Sequence, residues 1–404
     1  MESYLNPNVN VRDFKYKEQL INQLKSRIHT YGYDQISTSV FENYDLYTTV
    51  NGTINRDEMI KVISPDGKVL VLRPDVTIPI TQQVATQLNT SKETTRYGYV
   101  LDIFRSSFRQ TQGFVRTQAG VELFGNGRPE ADSEVIALAI HCLVDLKLTN
   151  FKLELGHSGV MKEILTYLSL KKEQEDEFKQ FIQSKNFSGL EHFLKDLPLE
   201  DEKRRAIQTI SLLYGNPNEV LEKALPLSFT KKMTEELKRL RTVYEQLDSY
   251  GFGNHIVIDL GLINHMGYYS GIIFQGFIEN IGKPILFGGR YDQLANQFTS
   301  SIPAVGFAFD IDTLLSTLPI NLIEPSIEIA IYYAHNRQVE AFELAKTLRE
   351  MNHRTIISNK SKETDGISIK LTDIGNEISY KAINYCFNAK EDVSSLLQEI
   401  MEGR

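Results

Sequence analysis

Four short stretches of this sequence gather side chains able to hold a small polar molecule: residues 72–77 (LRPDVT), 104–125 (FRSSFRQTQGFVRTQAGVELFG), 267–274 (GYYSGIIF) and 288–309 (GGRYDQLANQFTSSIPAVGFAF). Asp75 and Thr77 bring a carboxylate and a hydroxyl, Arg105 a permanent cation, Gln118 and Glu122 an amide and a second carboxylate, and Tyr268 and Tyr269 two rings with polar tips. Such acceptors hold an ammonium group or a ring nitrogen, and a guanidinium grips a carboxylate or phosphate. Gln118 and Glu122, four residues apart, share one face if their segment is a strand. Each residue also has a plainer role. Asp75, after Pro74, can cap a helix, and Thr77 can be a helix-start hydroxyl. Gln118 and Glu122 can edge a hairpin, the tyrosines can be core aromatics, and Arg105 can be a surface cation at a strand end. Residues 288–292 read as structural, with glycines for close packing and Arg290 beside Asp292 as a local ion pair.

To position these groups the chain must build sheets and helices around them. Leu20, Ile21, Leu24, Ile28 and Tyr31 fall at helical spacing, and Gly32 follows where a left-handed cap closes a helix. Short β-branched and aromatic runs come next at 35–41, 59–64 and 69–73, and those at 96–105 and 114–124 predict a long hairpin. A helix is expected over 134–146 after a capping signal at Asp132 or Ser133, then a half-buried strand over 151–155. Residues 161–248 are rich in Lys, Glu and Leu at helical spacing, which predicts a helical insertion. Strand signals return at 255–260, 268–277 and 304–309, so the insertion interrupts a largely antiparallel sheet. The expected α+β domain spans 1–318. A linker at 319–325 leads to a small α/β domain over 325–404: strand 327–333, helix 339–351, strand 355–358, and a closing stripe of Val393, Leu396, Leu397, Ile400 and Met401.

Composition narrows the function classes. Of 404 residues, 41% are hydrophobic and 24% charged, which excludes a disordered or fibrous chain. The longest apolar stretch, near 135–144, is broken by His141 and falls short of the ~20 residues of a membrane span. The N-terminus lacks the basic start and apolar run of a secretory signal, so a cytoplasmic protein with no membrane partner is expected. Cys142 and Cys386 lie in apolar patterns and read as reduced core thiols, with no metal site or disulfide framework. Lys and Arg number 44 against 52 Asp and Glu, a net charge of −8 that works against nucleic-acid binding.

The four segments, in this order and with a helical insertion between the second and third, resemble the catalytic core of histidyl-tRNA synthetase and its noncatalytic paralogues, the regulatory subunits of ATP phosphoribosyltransferase. The resemblance covers about the first 315 residues and implies a class II synthetase-like antiparallel core. In outline the C-terminal segment resembles a reduced anticodon-binding domain, read as a remnant or docking domain. The resemblance further implies that Asp75, Thr77 and Gln118 hold the ammonium of free histidine, that Glu122 meets the imidazole, and that Tyr268 or Tyr269 closes the ring site. Arg105 resembles the second-motif arginine, which in synthetases grips the ATP α-phosphate and the amino-acid carboxylate.

The sequence departs from a synthetase where phosphate chemistry is done. Adenylation depends on cations around the ATP phosphates, where negative charge develops. The third motif should run glycine, any residue, glutamate, arginine shortly after GFA, but Asp310, Ile311, Asp312 and Thr313 stand there. A carboxylate at 310 is expected to repel a triphosphate. The family's further cation, four residues before the paired tyrosines, is replaced by Asn264, and Ser106, Ser107, Phe108, Arg109, Gln110 and Thr111 replace a glutamate and a GRYRxF-like stretch. Ser39 stands where the first motif carries its dimer-interface proline.

An amino-acid pocket kept while the ATP machinery is dismantled points to the regulatory branch. The resemblance then implies a noncatalytic subunit without a cofactor, dimeric within a hetero-octamer with the short-form ATP phosphoribosyltransferase catalytic subunit. That subunit would be required for activity in the first step of histidine biosynthesis and for feedback inhibition by L-histidine. Two other readings stay open: an active histidyl-tRNA synthetase or other amino-acid-activating ligase, and a binding module sensing uncharged tRNA, which would need a basic face. Whether histidine sits in the ancestral pocket or at a subunit interface also stays open.

Overall fold

The computed structural model describes residues 11–50, 54–87, 94–107, 113–263, 267–279, 281–298, 301–318, 328–359, 366–381, 383–388 and 390–402. The chain divides into two compact units, Met1–Leu322 and Ile323–Arg404.

In the first unit the opening helix, Val11–Thr30, buries Leu20, Leu24 and Ile28 along one stripe and ends at Gly32, whose φ of +77° only glycine adopts freely. Then come β1 (Asp34–Gln35), β2 (Phe41–Asn43), β3 (Lys61–Ile63) and β4 (Val69–Leu72). The hairpin is β5 (Thr95–Phe104) and β6 (Val115–Phe124), paired in continuous register from Thr95 opposite Phe124 to Phe104 opposite Val115. Beyond it lie β7 (Phe151–His157), β8 (Tyr214–Gly215), β9 (Ile256–Asp259), β10 (Ile272–Ile278), β11 (Leu286–Arg290) and β12 (Ala304–Asp310). Nine of these strands make one sheet in the order β1-β5-β6-β12-β11-β10-β7-β9-β8, and β2-β4-β3 make a separate three-stranded sheet. The large sheet is antiparallel except where β1 runs parallel to β5 and β7 to β9.

Alternation along the strands sends successive side chains to opposite faces, and each face has its own core. Ala119, Val121 and Leu123 of β6, with Val305, Phe307 and Phe309 of β12, pack against the first helix, the helix Pro129–Asp145 and the insertion. On the other face Tyr99, Ile103 and Tyr291 join Val71, Ile78 and Val84 under the three-stranded sheet and the helix Thr77–Gln87. Glu122 and Gln118 sit on β6 between residues of the first core, and so turn to this second face.

Several expectations are corrected. The expected strand at 35–41 is two short strands, with no strand over 36–40. The helix expected at 134–146 begins at Pro129, where proline's fixed φ and missing N–H suit the first turn; Asp132 and Ser133 lie inside that turn and do not cap it. The strand expected at 268–277 begins only at Ile272, leaving Tyr268 and Tyr269 on the preceding loop. β11 was not read as a strand at all, because its glycines hid the pattern. The insertion is helical from Ser158–Leu168 to Lys231–Ser249 except for β8, which completes the sheet edge beside β9.

In the second unit, β13 (Ile329–Tyr333) pairs in parallel with both β14 (Thr355–Ser358) and β15 (Ile367–Thr372), followed by the antiparallel β16 (Gly375–Tyr380) and β17 (Ile383–Phe387). The last three strands had no counterpart in the sequence reading. Helices Gln338–Glu350 and Lys390–Glu402 cover the sheet through Leu344, Leu348, Val393, Leu397 and Ile400. Cys386, expected in a core, is exposed on β17, whereas Cys142 is buried. The expected linker at 319–325 lies outside the described residues. No helix among the described residues is long and apolar enough to cross a membrane.

Candidate functional site

All seven predicted residues line one cavity of about 280 Å³: Asp75, Thr77, Arg105, Gln118, Glu122, Tyr268 and Tyr269. That is just under the roughly 300 Å³ at which drug-sized sites begin, and so suits an amino-acid-sized molecule. The sheet supplies its floor. Glu122 stands opposite Gly306 and Gln118 opposite Asp310 across the β6–β12 pair, and Tyr99 faces Gly120 from β5. The helix Thr77–Gln87 and the 267–271 loop supply its walls.

Glu122 is the centre of the arrangement, 2% exposed. The Thr77 hydroxyl donates to one carboxylate oxygen at 2.7 Å and the Tyr291 hydroxyl to the other. Those two donors favour the ionised form, but burial outweighs them and pushes the carboxyl up to about 8. Gly306 exists for this side chain, since a Cβ there would lie 1.9 Å from a Glu122 oxygen. Gly289 does the same for Tyr269, whose ring would meet a Cβ at 2.8 Å.

Asp75 both caps a helix and lines the cavity. Its Oδ1 accepts from the Ile78 backbone N–H at 2.9 Å, capping the helix, while the side chain lines the cavity. Burial raises its carboxyl, and the neighbouring Arg105 charge opposes that shift. Arg105 in turn donates from Nε to the Pro74 carbonyl at 2.9 Å, and burial lowers its own pKa. It is no surface cation. Tyr268 and Tyr269 both line the cavity, with ring centroids 4.8 Å apart, and Tyr291 packs edge-on to each.

Of the cavity residues outside the predicted set, two stand out. Tyr291 had been read with Arg290 as structural, yet adjacent positions must face opposite ways. Arg290 points to the other side, donating to Asp132 at 2.7 Å and to Asp292 at 2.9 Å, while Tyr291 points to Glu122. The alternation in GGRYD was the available signal. The second is Arg116, whose Nη1 donates to Asp310 Oδ2 at 2.5 Å and to the Thr313 hydroxyl at 3.3 Å. The Asp310 carboxylate, expected to repel a triphosphate, is an ion-pair partner of Arg116. Its other oxygen caps the helix Ile311–Thr317 through the Thr313 N–H at 2.9 Å. Thr313 is buried, and Asp312 is held by Lys17 Nζ and the Thr117 N–H, each at 2.8 Å. Asn264 and residues 108–111 lie outside the described residues. Among the described residues no cluster of three or more His, Cys, Asp or Glu side chains is placed to hold a metal ion.

Comparison with known proteins places the chain among relatives of two kinds. The profile of the family described as histidyl-tRNA synthetase matches residues 7–314. An ATP phosphoribosyltransferase regulatory subunit from Oceanobacillus iheyensis is 45% identical over 399 residues, 97% of this chain and 96% of that protein. A crystal structure from Bacillus halodurans, described as an ATP phosphoribosyltransferase regulatory subunit/histidyl-tRNA synthetase, is 30% identical with a TM-score of 0.78 and covers 89% of this chain and 94% of its own. A histidyl-tRNA synthetase from Nostoc sp. matches at TM-score 0.81 over 99% of this chain and 100% of that one; at 16% identity it speaks to the fold alone. With a family match over residues 7–314 and, across 97% of its length, a relative 45% identical, the chain belongs to the histidyl-tRNA synthetase-like family of ATP phosphoribosyltransferase regulatory subunits.

Proposed function

We propose that this chain is the noncatalytic regulatory subunit of ATP phosphoribosyltransferase, acting in the first step of L-histidine biosynthesis. It assembles, as a dimer within a hetero-octamer, with a short-form catalytic subunit that needs it for activity. Its cavity takes L-histidine as the feedback effector.

The observation that carries this reading is the contrast between the cavity and the segment at its Asp310 edge. Acceptors for an ammonium and an imidazole converge around Glu122, while the third-motif arginine is a buried threonine and the glycine before it an aspartate held in an ion pair. Adenylation needs cations free to meet developing phosphate charge, and loss of one such group costs roughly 10²-fold or more in rate. By this reading Asp75, Thr77 and Gln118 hold the ammonium, Glu122 accepts from the imidazole, Tyr268 and Tyr269 enclose the ring, and Arg105 faces the carboxylate. The relatives' names support the regulatory role.

Reconstitution tests it: the purified chain is mixed with a short-form catalytic chain, and complex size, turnover and histidine inhibition are followed. Co-elution with histidine-sensitive activity is expected. Histidine-dependent exchange of pyrophosphate into ATP by the isolated chain would instead support the active-ligase reading.

A further inference from the structure

Tyr268 and Tyr269 reach the cavity from a loop, whereas Gln118 and Glu122 stand on a strand, and side chains on loops are the less precisely placed of the two. Contacts beyond the loop must therefore fix the two rings. The loop lies on the end of β11 with a glycine at each point of contact: a Cβ on Gly271 would fall 3.0 Å from the Arg290 side chain, and one on Gly289 would fall 2.8 Å from the Tyr269 ring. Ser270, between Tyr269 and Gly271, then bonds the backbone on either side of Tyr291. Its N–H donates to the Arg290 carbonyl at 2.7 Å, and its hydroxyl accepts from the Asp292 N–H at 2.9 Å. The strand end it grips is itself well held. The Tyr291 N–H donates to the Ala304 carbonyl at 2.8 Å, and Asp292 Oδ1 accepts from Arg290 Nη1 and from the Ala304 N–H, each at 2.9 Å.

We propose that Ser270 is a positioning residue of the cavity, clamping the loop to β11 so that Tyr268 and Tyr269 close over Glu122 beside Tyr291. This deepens the proposed function and rests on it in taking histidine as the ligand those rings enclose. The clamp keeps water from a buried carboxylate. Around Glu122 stand Asp75, Thr77, Tyr99, Tyr268, Tyr269 and Tyr291, and burial is the largest cause of its raised carboxyl. Thr77 and Tyr99 are placed by a helix and by β5, Asp75 by its bond to the Ile78 N–H and Tyr291 by its bond to Ala304, whereas Tyr268 and Tyr269 depend on the loop that Ser270 holds. Loss of the Ser270 hydroxyl therefore loosens two rings, admits water to Glu122 and lets its carboxyl fall toward the ordinary carboxylate range. The downstream end of the loop keeps its place, because the Gly271 carbonyl still accepts from the N–H and the hydroxyl of Ser158, both at 2.9 Å.

The test follows the Glu122 carboxyl in the ligand-free full chain by carbon-13 NMR, its signal identified by its disappearance in Glu122→Gln, and then titrates L-histidine by calorimetry. The variants are Ser270→Ala, Ser270→Val, Ser270→Thr and Ser158→Ala. Wild type should titrate near 8. Ser270→Ala should titrate lower and bind histidine up to about tenfold more weakly, the value of one neutral hydrogen bond. Ser270→Val should do the same. Ser270→Thr, which has the shape of Val but keeps the hydroxyl, should restore both properties. Ser158→Ala keeps its N–H on the Gly271 carbonyl and should leave both near wild type. A Glu122 titration unmoved in folded Ser270→Ala or Ser270→Val would overturn the proposal, as would an equal fall in Ser158→Ala, since any loosening of the loop would then suffice. A fall confined to the two variants without the Ser270 hydroxyl, with no histidine heat from any protein, would sink the proposed effector and leave the clamp standing.

Discussion

Glu122 sets the pH behaviour of the cavity. Its carboxyl titrates near 8 because burial outweighs the two hydroxyl donors, so at neutral pH the proton is largely on. An imidazole N–H donates more strongly to the ionised form than to the protonated one, so binding through that N–H favours release of the proton. Histidine affinity should fall as pH drops below about 8, and calorimetry in buffers of different ionisation heat should detect proton release; Glu122→Gln should bind weakly and without this dependence. Stability carries the opposite sign. A carboxyl raised from 4.5 to about 8 contributes stability that is complete below pH 4.5 and lost as pH rises through 8. The unfolding free energy of wild type should accordingly decline relative to Glu122→Gln between these limits in urea titrations. A difference that stays flat across that range would mean that Glu122 is already ionised in the folded protein.

At the scale of elements, the sheet is tied to its helices by buried charge as well as by apolar packing. Asp132, in the first turn of the helix Pro129–Asp145, is fully buried between Arg290 of β11 and Arg239 of the insertion helix Lys231–Ser249. This one carboxylate joins three elements. Asp132→Ala leaves the Arg290 guanidinium buried without it, and breaking such a pair typically costs about 3–5 kcal/mol. Urea denaturation should show a loss of that order, and a loss under about 1 kcal/mol would mean that the pair is solvent-screened. Gly306→Ala tests the floor of the site, because its Cβ falls on the Glu122 carboxylate and on the Val121 carbonyl. Overpacking of this kind costs about 1–3 kcal/mol, and the displaced carboxylate should weaken histidine binding as well.

The same elements explain what the sequence disclosed. The hairpin was legible because β-branched and aromatic residues ran through both strands, whereas β11 was not, because in Leu286–Arg290 two glycines replace the side chains that reveal alternation. Tyr291 was lost with that strand. Arg116 was missed for another reason: its partner Asp310 is 194 residues away, and nothing local marks the pair. Asp75 was ambiguous between cap and ligand in sequence; it accepts from the Ile78 N–H at the helix start and its side chain lines the cavity.

At the scale of the whole molecule, a ligand in the cavity regulates a partner only if it binds two states of the assembly unequally. The cavity is walled by the Thr77–Gln87 helix and floored by β6 and β12. The most direct measurement is histidine inhibition of ATP phosphoribosyltransferase reconstituted from the catalytic chain and either wild-type or Glu122→Ala regulatory chain, with complex size checked alongside. Loss of one charge-assisted hydrogen bond corresponds to roughly 1.5–3 kcal/mol. The account predicts an inhibitory concentration about tenfold to a hundredfold higher in the assembled variant. Unchanged histidine sensitivity in a properly assembled Glu122→Ala complex would contradict it and move the effector site to the boundary between subunits.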